Sequence, residues 1–347
     1  MNQSLIMVAT YVRYLIRRFF VYVLIWFVAN SLVFLLPRLL PINVANIIVG
    51  RLESAAIGSA GTYSPQALQK LYNFVYQYFG LNQSLYIQFI DYWKGIFQGN
   101  FGISAWLFPE PVAKIISSIV FYDLALLIPA IFLGFWVGNK LGAIAAFNRH
   151  VDRILMPILY FIAYSPYYWL AMLLITVFTF YLKLLPSTFT SEYTFTMPTF
   201  TWNFISTFLK EWILPFLSVF LVSIGQWAIG MRANIVGELG SNYITYAESL
   251  GIRYDIIRNY AYRNASLPQY SGLAINLGLI FVSAGAVEFI FMYPGMGWII
   301  WNAITNLDYF LMEGALFYVI TMVVIANFLI EIVYVIIDPR VRVGTYA

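Results

Sequence analysis

The sequence has no cysteine and a single histidine, His150, and only 10% of its 347 residues are charged. Without cysteine it has no disulfide, thiol nucleophile or Cys-based zinc site, and one histidine cannot build a histidine metal cluster. An ordinary soluble domain has about 25% charged residues, whereas 62% of this chain is hydrophobic. These shortages exclude most soluble enzyme classes and indicate a membrane protein.

Six apolar stretches are each long enough to cross a hydrocarbon core about 30 Å thick, which takes roughly 20 helical residues. The runs are continuous and do not alternate in polarity, which predicts helices and not barrel strands. The second run is the least clear because Asp123 interrupts it. The predicted spans are Phe19–Leu36, Asp123–Asn139, Ile154–Leu182, Trp212–Met231, Gly272–Tyr293 and Ala315–Ile337.

The 19 basic residues are unequally divided between the two sides of this arrangement. Twelve fall on the side of the termini, and seven fall on the other side, where the loops are longer. Because basic residues accumulate in cytoplasmic loops, the bias predicts a multi-pass protein of the cell membrane with both termini in the cytoplasm. The orientation of the chain in the lipid bilayer thus explains its net charge of +4, and a nucleic-acid partner is not needed to explain it.

Residues 41–114, between the first two spans, are too numerous for a turn and too polar for lipid. They predict a small helical subdomain outside the cytoplasm. Ser64 can cap a first helix that Gly80 ends, and a second short helix is expected over Leu85 to Phe97. A later outer loop, residues 186–209, alternates threonine with aromatic residues and has no evident role.

The inner loop at residues 232–268, between the fourth and fifth spans, combines charges with apolar side chains at helical spacing. Gly251 can adopt the left-handed conformation that ends a helix, and Asp255 can lie at the start of the next one. The pattern predicts a helix-turn-helix in the cytosol, with Pro268 starting the fifth span. Such an element suits the docking of a soluble partner, although a helix pair lying on lipid has the same pattern.

The residues of this loop resemble a known motif. Tyr243 to Gly251, followed by Arg263 to Pro268, is similar to the EAA loop of ABC importer permeases. The chain departs from the usual pattern at Leu250, where a basic residue is common, and at Glu248. Within this group, the sequence most resembles the B-type permeases for dipeptides and oligopeptides. Further segments match that class in order along nearly the whole chain: Tyr14–Arg18, Phe79–Leu81, Tyr86 with Gln88 and Phe89, Gly99–Gly102, Val287–Phe291, Tyr293–Gly297, Asp308–Tyr309, Asn327–Glu331 and Ile337–Arg342.

This resemblance implies a pore formed with a second homologous permease subunit, two cytoplasmic ABC ATPase subunits that bind ATP and magnesium, and an extracytoplasmic solute-binding protein. The solute implied is a dipeptide or oligopeptide. The chain itself would be a non-catalytic subunit without a cofactor or metal, and its sequence contains no Gly-x-x-x-x-Gly-Lys-Ser/Thr phosphate loop. Small residues would allow a close approach of the ATPases at the coupling segment, which comprises Tyr246, Ala247, Glu248, Ser249, Leu250, Gly251 and Ile252.

Acidic residues in or beside the spans are functional candidates, because a charge inside a membrane is costly. Glu288 could face the pore and meet a substrate amine or a gating partner, or it could make a hydrogen bond that fixes helix packing. Glu331 is expected to pair with a basic residue at a structural membrane edge that includes Asp338 and Arg340. Asp123 is expected at the outer interface.

Trp298 and Trp301, in the third outer loop, are further pore or gating candidates. Aromatic residues make up 19% of the chain, and tryptophan is common at membrane boundaries. Interfacial packing is therefore the competing interpretation for both residues.

The sequence leaves alternative functions open. The same machinery could import oligosaccharides. A secondary transporter or channel without ATPase subunits would favour inverted repeats and broken helices, and neither is apparent. An intramembrane enzyme would need clustered acids, bases or metal ligands, and no such cluster is apparent in the sequence. The preferred organisation is a cytoplasmic N-terminus with the first helix (1–40), the outer subdomain (41–114) and a permease domain with five further helices (115–347).

Overall fold

The structure, a computed structural model, describes residues 3–39, 46–47, 49–50, 53–54, 64–78, 80–190 and 198–337. These residues are predominantly helical, with one isolated antiparallel bridge between Ile103 and Pro111, which confirms the all-α class. A π-helix, Thr176–Tyr181, directly follows the α-helix Tyr167–Ile175. In chain order the α-helices are α1 Gln3–Arg38, α2 Pro65–Tyr78, α3 Leu85–Gln98, α4 Val112–Phe147, α5 Arg149–Tyr164, α6 Tyr167–Ile175, α7 Trp202–Leu239, α8 Asn242–Ser249, α9 Tyr254–Ser283, α10 Gly285–Phe291, α11 Met296–Thr305 and α12 Tyr309–Ile337.

Several of these helices are long and apolar enough to cross a membrane. Four helices meet this criterion of length and apolar character by themselves: Arg13–Arg38 of α1, all of α4, all of α7, and Tyr309–Leu329 of α12. A fifth candidate exists only if α5 and α6 with the π-helix count as one bent span. The predicted total of six spans is therefore not reproduced within the described ranges, which give four or five.

The predicted third span, Ile154–Leu182, is broken in the structure and is not one continuous helix. α5 ends before Ser165, α6 begins after Pro166, and the two segments are bent by 104°. Proline donates no amide hydrogen and disfavours the helical conformation in the preceding residue, so the chain leaves the helix at this point.

The predicted fifth span also differs from the structure. Pro268 does not start a helix, because α9 passes through it from Tyr254 to Ser283. The helix then breaks at Ala284, and α10 continues to Phe291. The second helix of the inner loop is therefore continuous with the segment predicted to enter the membrane.

Two helices predicted between the first two spans are confirmed. The Ser64 hydroxyl caps α2, and α3 matches the second predicted helix to within one residue. The helix α3 packs along α1: the Tyr92 hydroxyl donates to the backbone oxygen of Asn30, and Trp93 stacks on Phe27 with ring centroids 4.6 Å apart. This part of the predicted subdomain therefore rests on the first helix.

The helices α4 and α7 form the central pair of the fold. Glycines recur every fourth residue on one face of α4, at 134, 138 and 142. A Cβ atom on Gly138 would lie 2.6 Å from the backbone oxygen of Ile224, so only glycine permits this approach. The close contact gives α7, which leads into the inner loop, a firm support.

Candidate coupling site

The inner loop folds into an elbow, defined here as α8, the turn at Gly251 and the first two turns of α9. Gly251 has φ +73° and ends α8 in the left-handed conformation, as predicted. The amide of Ile252 donates to the oxygen of Ala247 (3.2 Å), and the amide of Gly251 donates to the oxygen of Glu248 (2.9 Å). This pair of hydrogen bonds is a Schellman motif, which satisfies carbonyl groups at the end of the helix.

The elbow has a small apolar core of its own. Its buried members come from both arms: Ile244 and Ala247 from α8, and Ile257 and Ala261 from α9. Phe147, at the end of α4, packs against them. Ala247 was predicted to allow close approach of a partner, but it is buried in this core. Its small size instead serves the packing of the two arms.

The remaining coupling candidates form the outer surface of the elbow. Tyr246 is 65% exposed and Leu250 is 61% exposed. Ile252 is half-buried, whereas Glu248, Ser249 and Gly251 are exposed. An exposed tyrosine and leucine on a rigid turn give the elbow an apolar outer surface. Large apolar side chains presented in this way suit a protein interface.

Tyr243 ties the elbow to the two long helices that leave it. Its hydroxyl donates to the Glu238 carboxylate of α7 (2.5 Å) and accepts from the Asn264 side chain of α9 (2.9 Å). Burial raises the pKa of the Tyr243 hydroxyl, and the hydrogen bond to Glu238 raises it further. This role of Tyr243 could not be predicted from the sequence, because its partners come together only in the folded chain.

At the opposite end of the fold, two carboxylates hold the first turn of α11. Glu288 is 1% exposed and accepts from the amides of Gly297 (2.7 Å) and Trp298 (3.3 Å). Asp123 is equally buried and accepts from the amide of Met296 (3.2 Å). Negative groups are stabilised at a helix N-terminus. The contacts of Glu288 fit the packing interpretation. Asp123 is buried within the protein, and its place at the outer interface stays a prediction.

The two tryptophan candidates differ in exposure. Trp298 is half-buried, with its ring edge-on to Trp106 at 6.1 Å. Trp301 is 49% exposed and lies 4.9 Å from the Phe289 ring. Of the three pore or gating candidates, Trp301 thus presents the most open side chain, and its place in a pore stays a prediction.

The predicted pairing of Glu331 with a basic residue is confirmed. Its Oε1 lies 3.3 Å from Nε of Arg18 and accepts a hydrogen bond from the Tyr22 hydroxyl (3.2 Å). Both partners belong to α1, so this contact joins the first helix to the last. Asp338 and Arg340, the other predicted residues of this edge, lie outside the described residues.

The carboxylates in the described ranges do not assemble into a metal site. No group of three or more histidine, aspartate or glutamate side chains there could hold an ion. The buried acids bind protein donors instead: Glu313 pairs with Arg38, and Asp308 accepts from the Ser104 hydroxyl. These two acids therefore form contacts within the protein.

Comparison with known proteins places these features in context. Residues 130–343 match the model of a family described as "Binding-protein-dependent transport system inner membrane component". The glutathione transport system permease protein GsiC of Escherichia coli (strain K12) is 28% identical over 332 residues, which cover 95% of this chain and 98% of the relative. A protein of Brucella suis biovar 1 (strain 1330) named "Putative peptide permease protein" is 29% identical over 272 residues, covering 76% of this chain and 82% of the relative.

Proposed function

Because the chain belongs to the family of binding-protein-dependent transport system inner membrane components, we propose that it is the permease subunit of an ATP-driven importer of small peptides. The family is a membrane component, and the chain has several helices suited to crossing a membrane. The peptide class is supported by the similarity to a glutathione permease, since glutathione is a tripeptide, over nearly the full length of both chains.

The proposed assembly contains a second homologous permease, two cytoplasmic ABC ATPase subunits and an extracytoplasmic solute-binding protein. ATP and magnesium would bind in the ATPase subunits. The distribution of basic residues supports a cytoplasmic location for both termini. The elbow then lies on the cytoplasmic side as well, within reach of the ATPases.

The elbow is the proposed point of mechanical coupling. Shifting a two-state pore from 1:99 to 99:1 takes about 5.5 kcal/mol of differential binding, and a flexible loop would not transmit it. The turn at Gly251 is closed by two hydrogen bonds, the arms share a buried core, and α9 continues without interruption towards the outer end of the fold. Movement of the ATPases would therefore displace both arms together.

The observation that carries this proposal is the exposed apolar surface of Tyr246 and Leu250 on a rigid turn. The test is co-purification of ATPase subunits with the tagged chain. We expect Leu250→Asp to lose the ATPases, because a carboxylate would have to be buried in the interface. Leu184→Asp is the matched control, since Leu184 is 68% exposed and lies outside the elbow. Equal recovery of ATPases with both variants would contradict the docking role.

A separate experiment identifies the transported solute. Mass spectrometry of the ligand retained by the partner solute-binding protein should find short peptides. Oligosaccharides in that fraction would contradict the peptide assignment and leave the coupling proposal intact.

A further inference from the structure

A forked ion pair joins the inner ends of α5 and α7. Arg232 of α7 donates through both Nε and a terminal nitrogen to the two carboxylate oxygens of Asp152, in the first turn of α5, and the second of these hydrogen bonds is 2.7 Å long. The guanidinium group presents its donors in a planar fork, which fixes direction as well as distance. The pair therefore contributes to the orientation of α5 on α7, beside the apolar packing of the two helices.

A second contact fixes the same two helices farther along. A Cβ atom on Gly225 would lie 2.7 Å from the backbone oxygen of Leu159, so α5 touches the backbone of α7 there. Gly225 precedes Arg232 by seven residues, and Asp152 precedes Leu159 by seven. Seven residues correspond to about 10 Å of helix. The equal spacing means that α5 runs antiparallel to α7 and is held at both ends of a segment of that length.

These contacts connect the bent helix pair to the elbow. Arg232 lies two turns before the end of α7 at Leu239, which packs against the elbow core. Beyond this segment, α5 leads through Pro166 to α6. We propose that Arg232 and Asp152 are positioning residues of the transport cycle, which make α5 follow α7 when the elbow is displaced. This inference rests on the proposed function.

The position of the pair distinguishes it from the local ion pairs in the described ranges. Lys114 with Glu110, and Arg253 with Asp255, each join residues close together in one short stretch of chain. Asp152 and Arg232 are 80 residues apart and link two separate helices. Unlike the ion pairs that join α1 to α12, this pair includes a residue of α7, the helix that leads into the elbow. Together with the apolar packing of α5 on α7, such a bridge can pass a displacement from one helix to the other.

The test compares transport per ATP hydrolysed in vesicles containing the purified importer, its ATPase subunits and its solute-binding protein, with a tripeptide as the probe. We expect Asp152→Asn to lower this ratio about ten-fold, within the usual range of coupling between sites, while ATP hydrolysis and the yield of complex persist. The double variant D152R/R232D should recover most of the ratio, because it restores the pair with its charges exchanged. Glu110→Gln removes a local pair and is the matched control.

A further variant covers the case in which Asp152→Asn fails to assemble. Arg232→Lys keeps the positive charge but loses the forked geometry, so it should assemble and show an intermediate ratio. A normal ratio in both Asp152→Asn and Arg232→Lys would overturn the inference, as would a charge exchange that restores nothing. A wild-type importer without ATP-dependent uptake would instead overturn the proposed function on which the inference rests.

Discussion

Ile252 and Ala247 lie on either side of the elbow turn and are joined by a backbone hydrogen bond of 3.2 Å between the amide of the first and the oxygen of the second. Their side chains also meet in the elbow core. The residue between Leu250 and Ile252 must then be left-handed, and Gly251 supplies that conformation. The turn is therefore specified by both backbone and side-chain contacts.

Replacement of Gly251 should uncouple the importer. In Gly251→Val, the branched side chain opposes the left-handed conformation at a cost of roughly 1–3 kcal/mol. The elbow would open or change direction, while the long helices, which do not depend on this turn, would still insert. We expect peptide uptake to be lost with normal amounts of the chain in the membrane, measured by uptake in cells and immunoblotting of membranes.

The matched control is Gly237→Ala, in the last turns of α7. Gly237 is helical, and no atom of a neighbouring group lies within 4 Å of the Cβ position. Alanine should stabilise the helix there by about 1 kcal/mol. Full uptake by Gly251→Val, or equal loss in both variants, would contradict the role of the turn.

Substitution of Ala247 should mainly lower stability, whereas substitution of Leu250 should mainly weaken binding of the ATPases. Ala247→Leu overfills the elbow core at a cost of about 1–3 kcal/mol, so amides of α8 should exchange hydrogen faster. Leu250→Ala removes an exposed side chain and should change stability by less than about 0.5 kcal/mol. It should nevertheless weaken binding of the ATPases. Hydrogen exchange of the elbow, measured with and without ATPases, separates the two effects. Faster exchange in Leu250→Ala but not in Ala247→Leu would contradict this assignment.

Local sequence features predicted the turn at Gly251, the cap at Ser64 and the extents of α2 and α3, because each depends on residues within one or two turns. The helix breaks before Pro166, whereas α9 passes through Pro268, which was predicted to start a span. The two prolines have the same local preference, so the sequence alone did not distinguish a broken helix from a continuous one.

The partner of the buried Asp123 could not be predicted for a related reason. A carboxylate in an apolar run suggests exposure unless a donor compensates it, and the amide of Met296 is 173 residues away in sequence. The pairing of Glu331 with Arg18 has the same long-range character, with the two residues on the last and first helices. The sequence could predict that Glu331 needs a cation, but not which helix supplies it.

Substitution of Glu288 should separate packing from a role in the pore. Glu288→Gln keeps an oxygen that can accept from the amides of Gly297 and Trp298, so uptake and thermal stability should stay close to wild type. Glu288→Ala removes the acceptor of both part-buried amides, and a buried donor left unsatisfied costs at most about 1–3 kcal/mol. Its midpoint of thermal unfolding in detergent should fall clearly. Loss of uptake in Glu288→Gln with an unchanged midpoint would favour contact with substrate.

The contact between Tyr243 and Glu238 should be insensitive to pH over the physiological range. The hydroxyl can donate only while protonated, and its pKa in the folded chain is raised above the ordinary value of about 10. Its contribution is therefore fully present below about pH 10 and is lost as the pH rises through the folded-state pKa. Tyr243→Phe removes the hydrogen bonds at every pH. We expect faster hydrogen exchange at the α8 end of the elbow in this variant, with a ratio to wild type that is constant from about pH 6 to 9. A ratio that changes within that interval would show that Tyr243 ionises there, contrary to its environment in the structure.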